Sequence, residues 1–99
     1  MKCFFDPKSV VVIGASNAPF NLGATICNML KDYLQYTGAV YAVNSKGETV
    51  NGYPGYSSVL DIPESPDLAV IIVAARHVPG IIRDCAHKGI KRIVIESAG

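Results

Sequence analysis

The sequence predicts an α/β domain built on a doubly wound parallel sheet, and three observations predict it. Apolar runs alternate in order with amphipathic stretches along the chain. The runs are continuous rather than alternating in polarity, as in strands covered by helices on both faces. Strand-like runs follow one another through helix-like ones, so right-handed crossovers between them wind the sheet doubly. A length of 99 residues is about one domain, so a single sheet with one core is expected. The expected strand order is 3-2-1-4-5, with a short strand 3 at the edge.

The first strand is read at Ser9-Val10-Val11-Val12-Ile13, a β-branched run that stops at Gly14. A loop of small residues, with Pro19 inside it, runs from Gly14 to Gly23. A helix is expected from about Asn21 to Tyr36, because Gly23, Ile26, Cys27, Leu30 and Leu34 share one face at helical spacing. Thr37-Gly38 ends it, with glycine as the left-handed cap. Ala39-Val40-Tyr41-Ala42-Val43 is the second strand. Between Asn44 and Pro66, Lys46-Gly47 and Asn51-Gly52 read as turns. Glu48 to Tyr53 reads as a short edge strand and Tyr56 to Leu60 as one helical turn, and Pro63 and Pro66 stop anything longer. Leu68 to Val73 is the strongest strand. Val78, Ile81, Ile82 and Cys85 mark a second amphipathic helix, with Pro79 near its first turn and Gly89 past its end. Ile90 to Ile95 is the last strand, followed by the loop Glu96-Ser97-Ala98-Gly99.

Composition narrows the function classes. Hydrophobic residues make up 49% of the chain and charged residues 17%, with a mean hydropathy of +0.28. That excludes a disordered tail and is apolar enough for part of the surface to lie against something else. Nine basic and eight acidic residues leave a net charge of +1, which argues against a bulk polycation for nucleic acid. The tyrosines Tyr33, Tyr36, Tyr41, Tyr53 and Tyr56 show no interleaving with basic residues of the kind that stacks bases. The longest apolar run, Leu68 to Ala75, is far short of the ~20 residues of a membrane span. Cys3, Cys27 and Cys85 cannot all pair with one another and none lies in a CxxC, so a reduced, cytoplasmic protein is expected. The opening residues Met1 to Pro7 lack the apolar stretch of a signal peptide.

In a doubly wound sheet, ligands bind beyond the carboxyl ends of the strands. The search for function therefore reduces to the loops at 14–23, 44–47, 74–77 and 96–99. The first runs from a strand into a helix. Its small residues, Gly14, Ala15, Ser16 and Asn17, let a phosphate approach the backbone, and the helix beginning near Gly23 offers unpaired N–H groups and a positive dipole end. It is neither a GxGxxG fingerprint, since Ser16 and Pro19 occupy the later glycine positions, nor a Walker A loop. The second loop discriminates further. A dinucleotide site that prefers NAD carries Asp or Glu at the end of the second strand. Here the strand runs into Asn44-Ser45-Lys46. A lysine there suits a ligand with an additional phosphate on its ribose, as in NADP or coenzyme A.

At this point the chain resembles a known family. Phe4-Phe5-Asp6-Pro7-Lys8-Ser9-Val10-Val11-Val12-Ile13-Gly14-Ala15-Ser16 looks like the opening of the CoA-binding domain of NDP-forming acyl-CoA synthetases, relatives of the succinyl-CoA synthetase α subunit. The likeness continues in order through Val40 to Lys46, Tyr56 to Pro63, Asp67 to Val73, Lys88 to Lys91 and Ser97 to Gly99. It implies a Rossmann-like domain over residues 1–99, the N-terminal piece of a longer acid–thiol ligase, with coenzyme A or acyl-CoA as ligand and downstream ligase domains as partners. It implies that the first loop holds the CoA diphosphate and that Lys46 meets the adenosine-side phosphates. The backbone at Val73, Ala74 and Ala75 would line the ligand, and Glu96 would lie toward the thiol end. Two positions depart from the family pattern: Ala74 and Ser45 stand where prolines are usual, which loosens both loops.

The family's catalytic machinery would lie outside these residues, so no catalytic or metal-binding residue is expected within them. His77 begins a helix beside the candidate site, and His87 sits in that helix's last turn, where a cation is favoured. Cys27 and Cys85 fall on apolar helix faces and read as core thiols. Two alternatives stay open at this point: an NADP-binding oxidoreductase domain, and a free-standing CoA-binding regulatory domain. A downstream acetyltransferase domain is a further arrangement known in the family.

Overall fold

The computed structural model describes residues 8–32 and 38–96. Five strands and two α-helices alternate: β1 (Ser9–Ile13), α1 (Leu22–Asp32), β2 (Ala39–Val43), β3 (Gly55–Tyr56), β4 (Leu68–Ile71), α2 (Val78–Lys88) and β5 (Arg92–Ile95). The sheet is wholly parallel, in the order β3-β2-β1-β4-β5. This is the doubly wound architecture that the alternation of runs predicts. β1 lies at its centre and is buried throughout. Ile13 sits opposite Val43 on one side and Ile71 on the other, so three strands end at the same level. Their outgoing loops meet at one edge of the sheet.

Strand pleating sends alternate residues to opposite faces and divides the core in two. Val10 and Val12 pack with Ala15, Cys27 and Val50 on the α1 side. Val11 and Ile13 pack with Val59, Ile62, Cys85 and Ile90 on the α2 side. Each buried aliphatic side chain stabilises by about 1.5–3 kcal/mol.

The element boundaries differ from expectation in instructive places. The edge strand is not Glu48–Tyr53. That segment folds back on itself, with Val50 and Tyr53 forming an antiparallel bridge across the Asn51-Gly52 turn, whose residues both take positive φ. Gly55–Tyr56 forms the edge strand instead, beside Ala42 and Val43. A side chain at Gly55 would have its Cβ 1.7 Å from the Glu48 carbonyl oxygen, so only glycine permits this packing. Helix α1 starts at Leu22, with Asn21 as its cap, and is described to Asp32; the expected end near Tyr36 and Thr37 lies outside the described residues. The helical turn expected from Tyr56 is a 3-10 turn at Val59–Asp61, capped by the Ser58 hydroxyl. Strand β4 ends at Ile71 rather than Val73, although the Ile72 amide still reaches the Ile13 carbonyl at 2.8 Å. β5 starts at Arg92 rather than Ile90, because Gly89 and Ile90 close α2: their amides donate to the carbonyls of Ala86 and Cys85. As the other edge strand, β5 is mostly exposed, contrary to the expectation that every strand is covered on both faces. Among the described residues no helix is long and apolar enough to cross a membrane.

Candidate functional site

A cleft of about 460 Å³ opens where the carboxyl ends of β1, β2, β3 and β4 face α2. Ile13, Val43, Val59, Val73 and Ile81 contribute apolar surface to it. Asn44, Ser45, Ser57, Ser58, His77 and Asp84 bring polar groups. Such a cleft suits a flat, partly apolar ligand held by a few hydrogen bonds.

The first loop is fixed from within. Gly14 takes φ +108°, and a Cβ there would lie 2.0 Å from the Ile72 carbonyl oxygen. Glycine is thus required twice, by conformation and by space. The carboxamide of Asn21 staples the loop: its Nδ2 donates to the Gly14 carbonyl at 3.0 Å, and its Oδ1 accepts from the amides of Ser16 at 3.0 Å and Ala24 at 2.8 Å. It thereby caps α1 as well. The amides of Leu22 and Gly23 are then the ones left without an intrahelical acceptor. Gly23 is buried beneath the loop, where a Cβ would sit 2.6 Å from the Ala15 Cα, so it allows helix and loop to touch. Ser16 and Asn17 do not line the main cleft. They border a smaller hollow of about 250 Å³ beside Asn21, Thr25 and Asn51.

The second loop turns on Asn44. Its Nδ2 donates to the carbonyls of Ala15 at 3.1 Å and Glu48 at 2.9 Å, and its Oδ1 accepts from the amides of Lys46 at 3.1 Å and Glu48 at 3.0 Å. Both halves of the carboxamide are occupied by the protein. Gly47, at φ +66°, closes the turn with its amide on the Asn44 carbonyl at 3.1 Å. Lys46 stands exposed on this turn, next to Ser45 at the cleft.

After β4, Val73 enters the cleft wall, Ala74 is half-buried and Ala75 is exposed. Ala74 holds φ −59° and ψ 144°, the conformation that proline imposes. The departure from the family's proline therefore removes a restraint without changing the shape. A 3-10 turn, Ala75–His77, leads into α2. Glu96 leaves β5 exposed, its amide on the Ile71 carbonyl at 2.8 Å, and is not part of the cleft lining.

Gly14, Asn44 and Val73 thus meet at the cleft and Ala15 is tied to it through Asn44, whereas Ser16, Asn17, Gly23, Lys46, Ala74, Ala75 and Glu96 are not among its lining residues. Sequence reasoning missed Asn21, Ser57, Ser58, Gly80, Ile81 and Asp84 as site-forming residues. The α2 group had a legible signal: His77, Gly80, Ile81 and Asp84 fall at helical spacing on the face next to the buried one. The thiols are poorly suited to attack. Burial pushes Cys27 up to about 11, and burial followed by the nearby Asp84 charge raises Cys85. Among the described residues no three His, Cys, Asp or Glu side chains cluster as metal ligands.

Residues 8–99 match a protein family described as CoA binding domain. The chain is 44% identical over 103 aligned positions to the α subunit of an ADP-forming acetate–CoA ligase I of Pyrococcus furiosus, covering all of this chain and 22% of that protein. It is also 44% identical to an ADP-forming acetate–CoA ligase I of Archaeoglobus fulgidus, covering all of this chain and 14% of that one. The fold superposes on the dinucleotide-forming acetyl-coenzyme A synthetase 1 of Ca. Korarchaeum cryptofilum with a TM-score of 0.85 and 34% identity, over 96% of this chain and 20% of the other. The chain therefore spans less than a quarter of the length of these relatives.

Proposed function

The chain belongs to the CoA-binding domain family, and from that premise we propose that it binds coenzyme A or an acyl-CoA across the carboxyl edge of its sheet, as the N-terminal CoA-binding part of an ADP-forming acyl-CoA ligase. The observation that carries the reading is the junction of an apolar cleft with a lysine-bearing turn at the end of β2, where an NAD site would hold a carboxylate. The residues present fit the ligand. The glycine-shaped first loop and the first amides of α1, which can donate to it, suit a diphosphate, with Gly14, Ser16 and Asn17 at the loop surface and the buried Ala15 behind them. Lys46 answers the phosphate on the ribose. The backbone of Val73, Ala74 and Ala75 flanks the ligand, and Glu96 lies toward its thiol end. The chemistry of ligation falls to domains outside these residues, so residues 1–99 bind without turnover. The unpaired thiols Cys27 and Cys85 suit a reduced, cytoplasmic setting.

Thermal unfolding tests the reading. A ligand that binds only the folded protein stabilises it by RT ln(1 + [L]/Kd). CoA is expected to raise the melting temperature more than NAD or NADPH at equal concentration. A larger shift from NADPH, with none from CoA, overturns the CoA assignment and favours an oxidoreductase domain.

A further inference from the structure

We propose that Asn44 is a positioning residue that locks the lysine turn to the first loop, so that Lys46 is presented to the ligand only through it. The inference rests on the CoA reading above and deepens it. A ligand-contacting asparagine needs a free amide or carbonyl facing the cleft. Asn44 offers little of either: two hydrogen bonds leave its nitrogen and two arrive at its oxygen, all from protein backbone. This fills both donor hydrogens, and the two amides take up the usual acceptor capacity of the oxygen. Its main chain is held too, with the amide on the Tyr56 carbonyl at 3.0 Å and the carbonyl accepting from Gly47.

The partners show what the lock does. Ala15 belongs to the loop after β1, Lys46 and Glu48 to the turn after β2, and Tyr56 to β3. One side chain and its backbone therefore join three segments that border the cleft. Lys46 itself is exposed, and its amide bond to Asn44 Oδ1 fixes where its side chain begins. Without the Asn44 side chain the turn keeps, among the bonds described, only those of its main chain to Tyr56 and Gly47, and the ammonium ranges over a wider volume. The entropy of gathering a lysine onto a phosphate then offsets its charge. Asn44 thus acts through Lys46 on the one ligand feature that separates CoA from dephospho-CoA.

The experiment is a double-mutant cycle with Asn44→Ala, Lys46→Ala and the pair, each titrated with CoA and with dephospho-CoA by calorimetry. Lys46→Ala is expected to weaken CoA by about tenfold and dephospho-CoA little, the loss of one charge-assisted bond at an exposed site. Asn44→Ala is expected to bring the two ligands to nearly equal affinity, and adding Lys46→Ala then changes nothing further. Losses that simply multiply, with ligand discrimination kept in Asn44→Ala, overturn the proposal and leave Asn44 a fold residue. Failure of the unsubstituted protein to bind CoA overturns the CoA reading and this proposal together, so the two failures are distinct. If Asn44→Ala does not fold, Asn44→Ser takes its place in the cycle. Hydrogen exchange on the unsubstituted protein tests the lock itself: the amides of Lys46 and Glu48 are expected to exchange at least about tenfold more slowly than an unstructured turn. Free exchange at both removes the lock.

Discussion

Individual residues here are often held by two constraints at once, and substitution then reports on the tighter one. A side chain at Gly14 would block the approach of a diphosphate, which invites a ligand-binding test there. The Ile72 carbonyl, 2.0 Å from where a Cβ would stand, makes it a folding residue first. Gly14→Ala is expected to cost at least about 2 kcal/mol, measurable by urea denaturation, from left-handed strain and backbone collision together. A variant of unchanged stability would show that the loop shifts freely. Cys27 carries a different signature. Its thiol is wholly buried, and its proton is held to about 11, against 9.0 for an unperturbed cysteine. The folded state thus binds that proton more tightly than the unfolded state. The stabilisation is complete below pH 9 and is lost as pH rises toward 11, a change of about 3 kcal/mol by linkage. Tyr41, whose hydroxyl donates to Glu64, is pushed up to about 12 and adds its own loss only above its ordinary value of 10. Urea midpoints at pH 8, 9 and 10 are expected to fall more for the parent protein than for Cys27→Ala. Equal slopes would remove Cys27 as the cause.

At the scale of elements, the two α-helices present different faces to the site. α1 borders the smaller hollow with its capped N-terminus, and α2 lines the main cleft with a side. Pro79 in its first turn and the left-handed Gly89 after its end fix where α2 begins and stops, and Cys85 anchors it on the sheet. The adjacent stripe of His77, Gly80, Ile81 and Asp84 then has to face the cleft. Gly80 is the third residue of this helix, where glycine costs less than the full ~0.8–1 kcal/mol relative to alanine of a helix interior. A Cβ at Gly80 meets nothing within 4 Å. Gly80→Ala is therefore expected to stabilise the protein by less than about 1 kcal/mol. The added methyl projects at the cleft wall, so CoA affinity is expected to fall while the melting temperature rises. A variant that gains stability and keeps full affinity would place the ligand away from α2. The same comparison separates helix stability from site shape, which most core substitutions confound.

For the molecule as a whole, the sheet has unequal edges. β3 is only two residues long and is flanked by the folded-back segment around Val50. β5 is the other edge, with Val94 and Ile95 at 46% and 43% exposure among the described residues. An exposed apolar edge strand is a template for pairing with another chain. Residues 1–99 alone are expected to associate as concentration rises, seen by sedimentation, and Val94→Lys is expected to reduce that association. Identical behaviour of the variant would place the contact elsewhere, for example on α1, where Leu22 and Met29 are also exposed. The high apolar content noted from composition finds its physical place in these surfaces.

The alternation of strands and helices and the parallel sheet could be read from the sequence, because continuous β-branched runs and helical spacing are local properties; the strand order agrees with expectation but pairs distant segments, which local pattern does not fix. The sequence also pointed to the ends of β1, β2 and β4, since parallel strands bring their carboxyl ends to one edge, but not to the segment after β3 or the side of α2 that complete the cleft. The tertiary structure decided what each loop residue does. Asn44 and Asn21 read as residues free to meet a ligand or simply to begin a helix, yet their amides are taken up by backbone groups up to 29 positions away. Gly23 reads as part of a phosphate loop, yet Ala15 packs where its side chain would be. The edge strand moved from Glu48–Tyr53 to Gly55–Tyr56 because a turn at Asn51-Gly52 and the close approach of Gly55 to Glu48 outweighed local strand preference. Periodicity fixes which way a segment faces. Hydrogen-bond partners and close contacts between distant segments exist only once the chain has folded.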